Sequence, residues 1–187
     1  MAPAHLSRRR TLLAVAAAGA AWRSAPAHAA SAGELQQASA RAMERFIGHN
    51  EDNKAIVGKA VATLVFPEIV KGGLIVGGEY GEGVLRKAEV VAGYYRLIAA
   101  SLGLQIGGQT YSLAMLFMTE AALRYLDNSD GWQLGSAPNL VVADEKFARD
   151  WNTTGARGDV IVFVFGQRGL MAGIDIRGAK ISSFTPS

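Results

Sequence analysis

The 187-residue sequence contains no cysteine. Disulfide bonds and thiolate metal ligands are therefore excluded, and so is a lipid anchor on an N-terminal cysteine. Histidine is almost as scarce, because His49 is the only one outside the first 29 residues. This count excludes a metal site built from a histidine cluster, and a serine–histidine–aspartate site would depend on His49 alone.

Nucleotide-binding and catalytic motifs are also missing. The glycines at Gly78, Gly81 and Gly83 do not have the spacing of a dinucleotide-binding loop, and no lysine followed by serine or threonine accompanies them. Acidic residues are scattered singly through the predicted strands, and aromatic residues do not alternate with basic ones as in nucleic-acid-binding proteins. We therefore expect neither an enzyme nor a cofactor, and no nucleic-acid partner.

One long uncharged stretch is present, since no charged residue lies between Arg96 and Glu120. Its length would suit a membrane-spanning helix. Within it, however, residues 101–109 alternate small or polar residues with apolar ones, which indicates a β-strand with one buried face. We predict that residues 93–118 form the central antiparallel strands of a sheet, with a turn or bulge at Gly107 and Gly108.

The first 29 residues resemble an export signal. A basic segment containing Arg9 and Arg10 precedes eleven apolar residues, which are too few to span a bilayer. Ala27 and Ala29 form an A-x-A cleavage signal. The paired arginines followed by two leucines indicate the twin-arginine route, with the general secretory route as the alternative. We therefore expect a periplasmic or secreted protein that can also be peripheral on a membrane.

Removing this segment changes the charge of the chain. It carries four of the 19 basic residues and none of the 16 acidic ones, which leaves a net charge of −1. A global affinity for polyanions is therefore not supported, and binding to an anionic surface would need a local basic patch.

The remaining residues, 30–187, predict one α+β domain. Apolar spacing predicts helices at 30–48 and at 53–66, the second ended by Pro67. A short helix is predicted at 119–126. Glycine-punctuated strands and turns are predicted between 71 and 89, and a hairpin between 159 and 181 with its turn at 166–169. We expect a twisted, mainly antiparallel sheet of about six to eight strands with two N-terminal helices and one short central helix.

An ordered series of motifs resembles the SYLF lipid-binding domain family, which includes yeast actin-binding proteins. It spans essentially all of residues 30–184. The matching motifs are Val65-Phe66-Pro67, Lys71-Gly72-Gly73, Gly77-Gly78-Glu79-Tyr80-Gly81-Glu82-Gly83, Gly103-Leu104-Gln105-Ile106-Gly107-Gly108-Gln109, Phe117-Met118-Thr119 and Gly169-Leu170-x-Ala172-Gly173-Ile174.

The resemblance implies a binding domain whose ligand is phospholipid or a membrane surface. Eukaryotic relatives bind phosphoinositides through a basic amphipathic N-terminal segment, and the corresponding segment here contains Arg41 and Arg45. The first helix is open to two interpretations, an ordinary surface helix packed on the sheet or an amphipathic helix that touches a membrane. A structural or protein-interaction module of the cell envelope is the alternative function.

We place the head-group contact at three other cations. Lys71 is predicted at a strand entrance, and Arg86 and Lys87 are predicted across a hairpin from it. These three residues are expected to form one patch, with Arg41 and Arg45 as the next candidates.

Overall fold

The structure is a computed structural model and describes residues 30–73, 76–102, 107–128, 132–133, 140–143, 158–169 and 178–187. Three helices and eight strands lie in this part of the chain. In chain order they are α1 (Ala32–His49), α2 (Glu51–Val57), β1 (Ala62–Gly73), β2 (Val76–Lys87), β3 (Val90–Leu102), β4 (Gly107–Phe117), α3 (Glu120–Asn128), β5 (Trp132–Gln133), β6 (Leu140–Ala143), β7 (Val160–Gly169) and β8 (Lys180–Ser183).

The strands form one curled sheet in the order β5-β8-β3-β2-β1-β4-β7-β6. All neighbouring pairs are antiparallel except β6 and β7, which are parallel. The predicted α+β class, the mainly antiparallel sheet and the number of strands are confirmed. The predicted signal segment, residues 1–29, lies outside the described residues.

The two faces of the sheet pack against different helices. The inner face carries the main core cluster, which includes Phe66, Tyr111 and Ile181, and α3 packs against it through Leu123 and Leu126. The outer face is covered at one end only, where Phe46 of α1 and residues of α2 contact strands β4 and β7. The other end of the outer face has no helix over it within the described residues.

The helices α1 and α3 begin where the sequence predicts them. Ser31 caps α1, since its hydroxyl accepts a hydrogen bond from the Glu34 backbone N–H while the Glu34 carboxylate accepts from the Ser31 backbone N–H. The hydroxyl of Thr119 accepts from the Ala122 backbone N–H at the start of α3. Leu35, Ala42 and Phe46 form the buried stripe of α1.

The predicted helix at 53–66 is wrong in its second half. The helix α2 ends at Val57, and the segment from Ala62 onward is strand β1, paired with β2 on one side and β4 on the other. Pro67 does not end a helix but lies at a bulge between Val65 and Glu68. Proline has no backbone N–H, and at a bulge the regular hydrogen bonds between the strands are already interrupted, so none is lost. Its carbonyl oxygen accepts a hydrogen bond from the Ser112 hydroxyl at 2.7 Å.

The predicted glycine turns are wrong, although the alternative of a bulge holds opposite Gly83, where the register of β1 and β2 shifts. Gly77, Gly78, Gly81 and Gly83 lie within the continuous strand β2, and Gly107 and Gly108 lie within β4 opposite Gly73 and Gly72. A Cβ atom on Gly83 would lie 2.7 Å from Cδ1 of Phe66, so this glycine permits close packing across the bulge. The predicted strand residues Leu74 and Ile75 lie outside the described residues.

Two predicted strand neighbours are separated in the sheet. Strands β3 and β4 come from the predicted central stretch, but the β1–β2 pair lies between them. The predicted hairpin at 159–181 is described only in part. Its first strand is β7, which pairs with β4 and β6, and the described end of its return segment is β8, which pairs with β3 and β5 and not with β7. The predicted turn at 166–169 belongs to β7, with Gly166 and Gly169 at positive φ; the return segment 170–177 lies outside the described residues.

Candidate functional site

Lys71, the first of the predicted head-group contacts, is buried on the inner face of the sheet. Its ammonium lies 2.8 Å from Oε1 of Glu79, its neighbour on β2, and both side chains are nearly inaccessible to solvent. The other carboxylate oxygen of Glu79 accepts a hydrogen bond from the Tyr111 hydroxyl at 2.5 Å. Lys71 therefore neutralises a buried carboxylate and is not available to a membrane in this conformation.

The inner face around Lys71 contains two further polar side chains, Gln109 and Tyr111. Gln109 lies opposite Lys71 on β4, and its buried Oε1 atom has no hydrogen-bond partner among the described residues. Burial and the Glu79 carboxylate together raise the pKa of the Tyr111 hydroxyl above its ordinary value. Tyr111 therefore remains a neutral hydrogen-bond donor, and Glu79 carries the negative charge that Lys71 balances.

Arg86 and Lys87 lie at the opposite end of the β1–β2 pair. Arg86 faces Thr63, eight residues along β1 from Lys71, which corresponds to about 25 Å of strand. The prediction that Lys71, Arg86 and Lys87 share one patch is therefore wrong. Arg86 instead donates to the Glu89 backbone carbonyl and lines a second groove beside α1. A head-group contact at either Arg86 or Lys87 stays a prediction.

Arg41 and Arg45 are exposed on α1 and line a groove of about 910 Å³ between this helix and the sheet. They lie four residues apart, so their side chains project from the same side of the helix. Strands β1 and β2 supply the other wall and the floor. The residues lining the groove are Ala30, Glu34, Leu35, Ala38, Arg41, Arg45, Pro67, Glu68, Val70, Tyr80, Gly81 and Glu82.

At the edge of the groove, three large apolar side chains form a row that continues across the uncovered outer face. Val70 pairs with Tyr80, and Tyr80 pairs with Ile98, so the three side chains lie side by side on strands β1, β2 and β3. They are 51%, 48% and 50% exposed, respectively. We call Val70, Tyr80 and Ile98 the apolar ridge.

Cations lie at both ends of the apolar ridge. Ile98 pairs with Lys180 on β8, while Val70 pairs with Thr110, which in turn pairs with Arg168 on β7. Lys180 and Arg168 are exposed. The outer face therefore presents an apolar centre between two positive charges.

The row after the apolar ridge has almost no side chains. It consists of Gly108, Gly72, Gly78 and Ala100 on four adjacent strands, all exposed. A Cβ atom on Gly72 would meet nothing within 4 Å. Among the described residues, the ridge therefore lies beside a surface of nearly bare backbone.

The described residues do not form a metal site or a membrane-spanning helix. No group of three or more histidine, aspartate or glutamate side chains suitable for a metal ion occurs among them. None of the described helices is both long enough and apolar enough to cross a bilayer. The groups available for binding on the uncovered face are the apolar side chains of the ridge, the guanidinium and ammonium groups, and the carboxylates of the groove floor.

Comparison with known families identifies part of the chain. A family model described as "Ysc84: Las17-binding protein actin regulator" matches residues 98–185. Residues 98–185 are therefore similar to the Ysc84 (SYLF) family. The search of curated proteins finds no match to this chain.

The Ysc84 match confirms the resemblance predicted from the sequence motifs. It covers the end of β3 and the elements from β4 to β8, and thus includes Ile98, Arg168 and Lys180. Ysc84 domains form a family of binding domains. Las17 and actin are named in the description of the family, and the description refers to the family and not to this chain.

The sequence analysis did not predict the apolar ridge, because alternation alone does not distinguish an exposed apolar row from a buried one.

Proposed function

We propose that this protein is an exported, non-enzymatic domain that binds phospholipid at a membrane surface of the bacterial envelope. The observation that carries the proposal is the apolar ridge with Arg168 and Lys180 at its ends. Exposed apolar side chains next to cations are typical of proteins that insert shallowly into the head-group region of an anionic membrane. Similarity to a family of binding domains is consistent with this function.

The expected attachment is weak and reversible. Burying the exposed halves of three large apolar side chains contributes about 3 kcal/mol. Two cations near an anionic surface add about 2 kcal/mol. A total of about 5 kcal/mol is close to that of a single acyl anchor, so other contacts would decide how long the protein stays bound.

Vesicle sedimentation with the full chain tests this function. Wild-type protein is expected to bind vesicles of phosphatidylglycerol and phosphatidylcholine, and less so as salt rises. A variant with Val70→Thr, Tyr80→Thr and Ile98→Thr is expected to bind roughly a hundredfold more weakly, because the apolar contribution is lost. Every variant retains residues 1–29, so their contribution to vesicle binding is the same throughout.

A matched control uses two exposed valines elsewhere. Val90 and Val142 are 70% and 55% exposed on β3 and β6, outside the ridge. The variant Val90→Thr with Val142→Thr is expected to bind vesicles like the wild type. Equal losses in the two variants would contradict a role for the ridge, and absence of wild-type binding would favour a protein-interaction module of the envelope.

Export is a separate part of the proposal, supported by the sequence of residues 1–29. Replacing Arg9 and Arg10 with lysine is expected to block export of a folded reporter fused to this segment, because the twin-arginine route depends on the pair. Undiminished export of the variant would indicate the general secretory route.

A further inference from the structure

The groove between α1 and strands β1 and β2 carries both signs of charge on facing surfaces. Its helical wall presents the guanidinium groups of Arg41 and Arg45. Its floor presents the carboxylates of Glu68 and Glu82. A volume of about 910 Å³ is in the range of pockets that hold small molecules.

The two floor carboxylates are direct neighbours. Glu68 and Glu82 are paired across β1 and β2, so their side chains leave the same face of the sheet side by side. Like charges directly opposite each other on paired strands are destabilising. No ion pair within the described residues takes up the Glu68 carboxylate, which is exposed. A cation bound between the two would remove this repulsion.

Nearby groups hold the floor carboxylates in position, but they do not neutralise the charges of both. The Tyr80 hydroxyl donates to Oε1 of Glu82 at 2.5 Å, which holds the tyrosine ring beside this carboxylate. Arg96 is the cross-strand neighbour of Glu82, and its guanidinium lies 5.3 Å from the centre of the Phe184 ring. Glu82 therefore has a cationic neighbour on one side, whereas Glu68 remains available on the other.

The acidic residue on the helical wall is engaged elsewhere. The Glu34 carboxylate accepts hydrogen bonds from the Ser31 backbone N–H and hydroxyl at the start of α1. Arg41 and Arg45 lie two and three turns further along the helix. The helical wall next to the floor carboxylates is therefore positively charged. A ligand that carries both a phosphate and an ammonium group would complement the two surfaces, the phosphate facing the wall and the ammonium facing the floor.

We propose that this groove selects a zwitterionic phospholipid head group with a primary ammonium, as in phosphatidylethanolamine. The phosphate binds Arg41 and Arg45, and the ammonium binds between Glu68 and Glu82. A primary ammonium supplies three N–H donors for carboxylates, whereas choline supplies none. The acyl chains then leave over Val70 and the rest of the apolar ridge. This inference rests on the proposed phospholipid binding and adds the head group.

Vesicle sedimentation at fixed ionic strength distinguishes the head groups. Three compositions are compared: phosphatidylcholine alone, phosphatidylcholine with phosphatidylethanolamine, and phosphatidylcholine with phosphatidylglycerol. The full-length wild type is expected to bind the ethanolamine vesicles on the order of tenfold more tightly than phosphatidylcholine alone. Glu68→Gln with Glu82→Gln is expected to abolish this advantage and to retain or increase binding to phosphatidylglycerol, because two repelling charges are gone.

The control removes the same charge elsewhere on the protein. Glu44 and Glu89 are exposed and line the second groove, so Glu44→Gln with Glu89→Gln is expected to keep the ethanolamine advantage. Loss of the advantage in this control, or its survival in the Glu68 and Glu82 variant, would overturn the head-group inference. A wild type that binds phosphatidylglycerol vesicles without preferring ethanolamine overturns only this inference. A wild type that binds none of the vesicles overturns the proposed function.

Discussion

Lys71 and Glu79 form an ion pair inside the curled sheet, with the Tyr111 hydroxyl as a third member. Moving both charges out of water is costly, and their attraction compensates only while both partners are present. Removing one partner leaves a buried, unpaired charge. The pair therefore makes the stability of the protein sensitive to single substitutions at either position.

We predict that Lys71→Met destabilises the protein by about 3–5 kcal/mol, because Glu79 loses its counter-charge. Adding Glu79→Gln should restore a large part of this loss, since glutamine is neutral and keeps an acceptor for Tyr111. Urea unfolding followed by circular dichroism measures both changes. Lys87→Met is the control at an exposed lysine, and a loss below 1 kcal/mol in Lys71→Met would show that the pair is not buried in solution.

Two glycines of the β1–β2 pair have opposite surroundings. A Cβ atom on Gly83 would lie 2.8 Å from the Val65 carbonyl oxygen, whereas one on Gly72 would meet nothing within 4 Å. We predict that Gly83→Ala costs roughly 1–3 kcal/mol through overpacking. Gly72→Ala should change stability by less than about 0.5 kcal/mol. Thermal unfolding of the two variants checks the contrast, and equal melting temperatures would contradict it.

The turn between β2 and β3 is strained at one residue. Lys87 pairs with Val90, which leaves Ala88 and Glu89 as a two-residue loop, and Ala88 has φ of 50°. Turns of this length favour glycine where φ is positive. The sequence of the loop thus conflicts with its geometry, and the antiparallel pairing of β2 and β3 maintains the strained conformation.

Ala88→Gly is expected to stabilise the protein by roughly 0.5–1 kcal/mol, because relief of the positive-φ strain exceeds the added freedom of the unfolded chain. The neighbouring change Glu89→Gly is the control, and it should destabilise because the backbone there needs no glycine. Denaturant midpoints of the two variants give the comparison. A destabilised Ala88→Gly variant would contradict a strained turn.

At the scale of the whole molecule, tyrosines link stability to alkaline pH. Burial and the nearby Asp127 carboxylate raise the pKa of Tyr95 to about 12, and Tyr111 is also raised. Below pH 10 these hydroxyls are protonated in both folded and unfolded protein, so their contribution is fully present. Above pH 10 the unfolded chain loses protons that the folded protein retains, and stability falls.

We therefore predict that the free energy of unfolding decreases steadily between pH 10 and pH 12. Tyr95→Phe should show a shallower decrease over this interval, because one of the linked protons is removed. Urea titrations at half-unit pH steps, with phenolate absorbance recorded in parallel, measure both effects. Constant stability up to pH 12 would contradict the linkage.

The sequence alone predicts the elements whose signals are local. Ser31 and the apolar stripe of Leu35, Ala42 and Phe46 specify α1, and Thr119 marks the start of α3. Alternation and β-branched residues indicated strands in β3, β4 and β7. The missing cysteines and the single histidine outside residues 1–29 restricted the chemistry of the domain independently of its fold.

The pairing of strands distant in sequence determined the remaining features of the fold and of the candidate site. Residues 62–66 have a stripe that suits either a helix or a strand, and hydrogen bonding to β2 and β4 on both sides makes them a strand. The same register places Lys71 against Glu79 inside the sheet and about 25 Å along the strand from Arg86. It also aligns Val70, Tyr80 and Ile98, which are distant in sequence. A row across strands depends on long-range register, and local residue patterns do not encode which strands become neighbours.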